Sequence, residues 1–545
     1  MRRRLLFRSL LFFCTIIALG AAVYLRSDRT RLFTLAITPE TFEELKNSHT
    51  ETDLRLLDGL SFNGYPAFFD DPDSTFYYSL VENDSDAYNP FVHIYGNSKQ
   101  VRIALTKGSI SPESIEHALP LHIIAYDDHV YREYRIRCTT LPLMNIESEI
   151  ESIHGTQKDR DLKMTLFDNR AEARQRLINM QGLIHVRGND STTVFPKQGY
   201  KMTLSQLSPG KHNREMDLSL LGMPRLDGEW LLYAGYNDQE RIRNVFSSAL
   251  WNQSCAGDNE FAIQNGMEYR FLELFMNGKY WGLYALGYPL DYKQMTPLRN
   301  TETVQAVYVY KKSFWNEAWS NLPETLQMRD FETRGKDALA DESRARALLA
   351  EYDRWVREGA PGTVSAPSGI RMDIKNAIDI WLYVALVQGM DTVEKSGDFV
   401  NMFLTLVDAG DDLVIIYTPW DLDLTWGNLR QAKVLNTTIP YGINVNDNSF
   451  IMQRNPANFM LSEGIEMFTA RYHALRQNGW SETHIDRMLD AYEKDIFDSG
   501  AYLRDVEKWP DSSIQEPALK LTLFRNYVHQ RLIAMDDFIS DLGTD

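Results

Sequence analysis

Cysteine is scarce: the chain has three in 545 residues. That is too few for a disulfide framework; Cys14 lies in an apolar leader, and Cys138 and Cys255 form either one bridge or two buried thiols. No second His or Cys lies at metal-ligand spacing from His185, which leaves it as an ordinary strand residue. Positive charge is in deficit, with 57 Lys and Arg against 75 Asp and Glu and a formal net charge of −18. A chain so acidic is a poor match for a phosphate backbone, so nucleic acid is disfavoured as a partner. Any polyphosphate would need basic groups concentrated locally. Repeats and low-complexity segments are absent, and the length allows two or three domains.

The long apolar run at the start is the exception to this polar character. Arg2, Arg3, Arg4 and Arg8 precede an apolar stretch from Leu10 to Leu25, a length between a signal-peptide core and a full membrane span. A signal anchor (1–30) and a signal cleaved near Ala18-Leu19-Gly20 both fit. In either case the basic cluster stays cytoplasmic and the remainder is exported. The expected location is therefore the cell membrane, single-pass and largely extracytoplasmic, or secretion after cleavage.

From 31 to 152 short apolar runs alternate with turn residues: Phe76–Leu80, Phe91–Tyr95, Val101–Leu105, Leu121–Tyr126 and Val130–Ile136. Several strands at such spacing without a helical period predict a β-sandwich of immunoglobulin-like architecture. Nothing in it reads as catalytic. The next unit, 155–545, opens with the strands Leu183–Arg187 and Phe195–Leu204, which carry Arg187 and Lys201 on adjacent strands beside a small polar turn. Such basic groups are either phosphate contacts or solvated side chains. Trp230–Tyr233 is a further strand, followed by Tyr236-Asn237-Asp238 and a helix with Ile242, Val245, Phe246, Ala249 and Leu250 on one face. Asn277-Gly278 supplies the positive φ angles of a tight hairpin between Tyr269–Met276 and Tyr280–Leu286, and Val304–Tyr310 is expected to extend the same sheet.

The acidic chemistry gathers at 387–427. A core-facing amphipathic helix, with Ile374, Ala377, Ile378, Trp381, Leu382, Ala385 and Leu386, is capped by Asp373 and ended by Gly389, so Asp391 starts the loop beyond a rigid support. The apolar runs Val400–Val407 and Leu413–Tyr417 flank an Asp-rich turn. That hairpin brings Asp391, Asn401 and Trp420-Asp421-Leu422-Asp423 to one end. Carboxylate, Asn, hairpin, carboxylate is the order of a kinase catalytic loop and its metal-binding loop, because phosphoryl transfer needs hard oxygen ligands for Mg²⁺ and one carboxylate near the acceptor hydroxyl. The competing local reading is a solvated turn or a Ca²⁺ site.

Several motifs in order resemble the spore-coat protein H (CotH) kinase family. They are the RGN turn with FPK-x-x-YK in Leu183–Leu204, Leu221-Gly222-Met223-Pro224, Tyr236-Asn237-Asp238, Arg243-Asn244, the NGxYxGxY hairpin at Asn277–Tyr284, and Asp391 through Asn401 to Pro419–Asp423. The resemblance covers about 160 to the end. It implies a reduced, atypical protein-kinase-like fold and transfer of phosphate from ATP, with Mg²⁺ or Mn²⁺, to a protein at the cell surface or in the envelope. Carried over to this chain, it implies Asp391 as the base, with Asp398 as a competitor, Asn401 and Asp421 as metal ligands, and Asp423 as a second ligand or orienter. Lys201 and Arg187, with Lys197 of the FPK segment, would hold the phosphates. Two departures stand out: Tyr288 occupies the position of an acid that follows the family's hairpin, and Asp190 replaces a Ser in the polar turn.

The expected fold is α+β: a β-sandwich, then an atypical kinase-like domain with a C-terminal helical region over 457–545. There Met452, Met460 and Met467 read as core packing. Two other functions stay open. One is a non-catalytic surface module, a pseudokinase recognising an envelope protein or glycan; the other is phosphorylation of a non-protein acceptor.

Overall fold

The computed structural model describes residues 30–149, 159–188, 195–206, 214–312, 331–336, 340–357, 367–392, 399–430, 438–439, 441–447 and 458–542. The leader and the expected domain boundary at 152–155 lie outside these residues. Among the described residues no helix is long and apolar enough to cross a membrane. The protein is α+β, with strands and helices in separate layers rather than in βαβ alternation.

The first hundred described residues build two sheets, one of four strands and one of six. Leu57, Leu60 and Phe62 of the first meet Phe76, Ile103, Ile123 and Ile136 of the second in one buried cluster. Most pairings are antiparallel, but Val130–Thr139 runs parallel to both Thr50–Glu51 and Thr75–Ser79. Cys138 and Cys255 are free and buried, so the two-thiol alternative holds.

From Leu143 onward the chain enters a second core. Leu143–Glu147 pairs with Arg160–Phe167 and, in parallel, with Tyr269–Met276. The path continues through Lys279–Gly287, Glu229–Tyr233 and Gly199–Gln206, and closes because Leu177–Arg187 pairs with both Gly199–Gln206 and Arg160–Phe167. Gly182 permits that closure, since a Cβ there would collide with the Thr203 carbonyl. Side chains alternate along these strands. Ile184, Val186, Tyr200, Met202, Trp230 and Leu232 point into the core. Arg187, Lys201, Glu229 and Tyr233 therefore share the opposite face.

A second sheet has five strands in the order Phe331–Lys336, Ala306–Lys312, Met402–Asp408, Leu413–Pro419, Ile370–Met372. Val304–Tyr310 thus does not extend the hairpin's sheet: alternation marks a strand but not its neighbour, and this one pairs with Met402–Asp408. Every residue of Met402–Asp408 and Leu413–Pro419 is buried, as their unbroken apolar runs require of strands covered on both faces. The helix Ile374–Val387 is buried almost all round rather than amphipathic. Asp373 caps it by accepting from the Asn376 amide, and the left-handed residue that ends it is Gln388, not Gly389. Helices Asn458–Gln477, Glu482–Glu493, Ala501–Lys508 and Thr522–Leu542 complete the layer. Met467 is 55% exposed and so does not pack in the core: it falls on the outer side of its helix, one residue before buried Phe468.

Candidate active site

The Asp391 loop is sewn to the Asp421 loop by main-chain bonds. Trp426 N donates to Val387 O at 2.6 Å and Met390 N to Leu424 O at 3.2 Å. The hairpin register sets Met402 opposite Pro419, so Asn401 and Trp420 leave the sheet side by side. Asn401 and Asp421 both hold left-handed backbones, with φ of 51° and 61°. Asn and Asp tolerate that region better than most residues, yet two such positions facing each other are a local strain that a site can impose.

Asn401 Nδ2 donates to Asp391 through the main-chain oxygen at 3.1 Å and Oδ2 at 3.2 Å. The other oxygen, Oδ1, is buried without a partner. Asp423 accepts from Asn237 Nδ2, and Asn428 Nδ2 donates to the Asp423 main-chain oxygen at 2.9 Å. Asn244 accepts from Leu422 N at 3.0 Å, which fixes the loop between the two acids. Asp421 itself is exposed. Burial, then repulsion from Asp423 and Asp421, drives the Asp391 carboxyl well above the carboxylate range. Burial and the Asp421 charge push Asp423 up to about 7. Three acids thus lie within each other's field, and among the described residues no cation is hydrogen-bonded to Asp391 or Asp423, a state relieved either by protons or by a cation from outside.

The basic side stands opposite. Arg187 lies over the Trp420 ring at 5.4 Å and Lys311 over the same ring at 5.9 Å. Burial lowers the pKa of both, Asp421 opposes that effect, and for Lys311 neighbouring Arg187 and Arg334 add to it. Arg334 continues the strip into a cavity of about 380 Å³ whose walls also include Lys201, Glu229, Tyr292, Lys293 and Lys336. Lys201 forms an ion pair with Glu229 across neighbouring strands.

Lys197 is placed elsewhere. It is fully buried and donates to Asp505 Oδ1 and to Leu283 O, both at 2.7 Å, while Arg241 Nε holds the other oxygen of Asp505 at 3.0 Å. Burial draws its pKa down to about 8. Fully buried and bonded to Asp505 and Leu283, Lys197 braces the closed sheet against the helix Ala501–Lys508. Gly282 of the hairpin motif is the contact point: at φ +115° it has no side chain, and a Cβ would strike Asp505 and Trp509.

Asp391, Asn401, Asp421, Asp423 and Arg187 are therefore brought together, Lys201 lines the adjoining cavity, and Lys197 is set apart. Asp398 and Asp190 lie outside the described residues. Sequence reasoning missed Lys311, Arg334 and Glu229 as site residues. Asn237 was visible as part of a motif, but its bond to Asp423 spans 186 residues.

A family model for CotH kinase proteins matches residues 184–535. The chain belongs to the CotH kinase family. The match begins within the strand Leu177–Arg187 and ends within the helix Thr522–Leu542, so it takes in every side chain of the candidate site. No curated protein matches the chain.

The donor set can be tested against the divalent metal this family implies. Among the described residues no group of three His, Cys, Asp or Glu forms a ready-made metal cage. Mg²⁺ is commonly bound through one or two carboxylates plus phosphates and water rather than by an all-protein cage. Asp421, Asp423 and the Asn401 amide are the available ligands, and the orphaned Asp391 Oδ1 is the free acceptor beside them. The residues fit.

Proposed function

We propose that this CotH kinase protein transfers a phosphoryl group from ATP to a hydroxyl, of Ser, Thr or Tyr on a surface or secreted protein. One observation carries the reading: the crowded carboxylates of Asp391, Asp421 and Asp423 lie within the field of Arg187 and Lys311, whose neighbour Arg334 lines a cavity of about 380 Å³. Such a division suits a nucleotide whose phosphates meet the basic strip. In this reading the nucleotide's phosphates lie along the basic wall of the cavity between the closed sheet and the Phe331–Lys336 strand, and the second sheet with its helices acts as the larger lobe of a reduced kinase-like fold.

Mg²⁺ or Mn²⁺, held by Asp421, Asp423 and Asn401, would screen the phosphate oxygens and keep both raised carboxyls ionised. Arg187 and Lys311 hold the phosphates in line and keep them from the acids. Asp391 accepts the proton of the acceptor hydroxyl at Oδ1, the oxygen that no protein donor occupies; Asn401 fixes the other. The two N-terminal sheets around one core are read as a β-sandwich spacer, and the leader as the element that takes the protein out of the cytoplasm.

The test is autophosphorylation and transfer to added protein by the purified chain with Mg²⁺ or Mn²⁺, comparing wild type with Asp391→Ala and Asp421→Ala. Transfer lost in both, with metal-dependent nucleotide binding largely kept in Asp391→Ala, supports the roles given. Nucleotide binding without transfer under any metal would favour a pseudokinase.

A further inference from the structure

Tyr288 stands where the resemblance implies an acid after the hairpin, and it cannot stand in for one. Its ring is buried, edge-on to Trp230 at 6.4 Å, with the Arg225 guanidinium 5.4 Å above it. Arg225 is itself spent on Asp291, at 2.8 and 2.9 Å, and on Pro289 O at 2.6 Å. That corner is closed packing, not a free carboxylate.

An acid nevertheless meets Lys201, and it comes from another strand. We infer that Glu229 is the positioning residue for Lys201, aiming its ammonium at the phosphates of a nucleotide in the cavity both residues line. The support behind Glu229 is built. Its amide donates to Asp227 Oδ1 at 2.9 Å, and Asp227, fully buried, is held by Arg225 and by Lys293 Nζ at 3.0 Å. Trp230 Nε1 donates to the Asp227 carbonyl at 3.0 Å. An ammonium has three donors, so pairing with Glu229 leaves two for phosphate oxygens. A four-carbon stem that is otherwise free to sweep the cavity is thereby held near one place.

The inference rests on the nucleotide reading above, and its sign makes it testable. If Glu229 were only a nearby charge, its removal would tighten an anion; if it positions Lys201, removal loosens it. The experiment measures affinity of the full chain for Mg·ATP and for adenosine by calorimetry in wild type, Glu229→Gln, Glu229→Asp and Tyr288→Phe, with melting temperatures alongside. We expect Glu229→Gln to weaken Mg·ATP about tenfold, on the order of 1.4 kcal/mol, with adenosine affinity and melting temperature unchanged. Glu229→Asp should recover part of the loss and Tyr288→Phe should bind as wild type. Unchanged or tighter Mg·ATP binding in Glu229→Gln overturns the inference and leaves the kinase reading standing. An equal loss of adenosine assigns Glu229 to the structure alone and also overturns it. A wild type that binds no Mg·ATP removes both together.

Discussion

Two regions of the protein handle charge in opposite ways. Between the closed sheet and the helix Ala501–Lys508, buried charges are matched: Lys197 and Arg241 on Asp505, Arg504 on Glu273 at 2.7 and 2.8 Å. Around Asp391 the acids crowd one another, while Arg187 and Lys311 gather over the Trp420 ring. Burying a charge without a partner is costly, so chains normally pair what they bury. A site that departs from this keeps its charges for a ligand. The same chain that pairs buried Lys197 with Asp505 leaves Asp391 Oδ1 with no donor among the described residues, and the contrast separates framework from candidate site.

The contrast can be broken from either side. The largest effect expected is kinetic: Asp391→Ala should reduce phosphoryl transfer by roughly 10²–10⁴-fold, the usual contribution of a positioned base, while leaving the melting temperature at or above wild type. On the framework side, Asp505→Ala strands two buried cations and should cost about 3–5 kcal/mol in denaturant unfolding. Gly282→Ala attacks the same contact through sterics and strained φ, and about 1–3 kcal/mol is expected by the same measurement. A site mutation that destabilises as much as Asp505→Ala would erase the distinction.

The pH dependence sharpens it further. Asp423, with its pKa raised to about 7, binds a proton in the folded state that the unfolded chain gives up near pH 4. The folded state therefore holds more protons between those values, and its stability falls as pH rises from about 4 to about 7. Without metal, Asp423→Asn should raise the melting temperature by a few degrees at pH 8 and by less at pH 5. Added Mg²⁺ with nucleotide should stabilise wild type at pH 8 and lose that effect toward pH 5. The smallest change expected is Lys311→Met, a roughly tenfold loss of Mg·ATP affinity, the scale of one charge-assisted contact of about 1.4 kcal/mol.

Much of the acidic side was legible in the chain, because it depends on local pattern. Two apolar runs around Asp408–Asp412 define the hairpin, and the hairpin alone carries Asn401 and Asp421 to the loop of Asp391. The basic side was legible only in part. Arg187 stands in a motif, but Lys311 lies on a strand whose partner, Met402–Asp408, is far along the chain, and alternation does not name a partner. Lys197 reads like Lys201 in sequence; what separates them is Asp505, whose bond to Lys197 crosses 308 residues. Glu229 escaped notice for the same reason at shorter range: it meets Lys201 only because Glu229–Tyr233 folds beside Gly199–Gln206.

The central claim is that the unmatched acids are kept for a metal–nucleotide complex. Titrating ATP into wild type and Asp421→Asn, each with and without Mg²⁺, tests it most directly. The account predicts that Mg²⁺ tightens ATP binding in wild type by tenfold or more, and that Asp421→Asn binds ATP equally with and without the metal. ATP binding indifferent to Mg²⁺ in wild type, or an Mg²⁺ effect that survives Asp421→Asn, would contradict it.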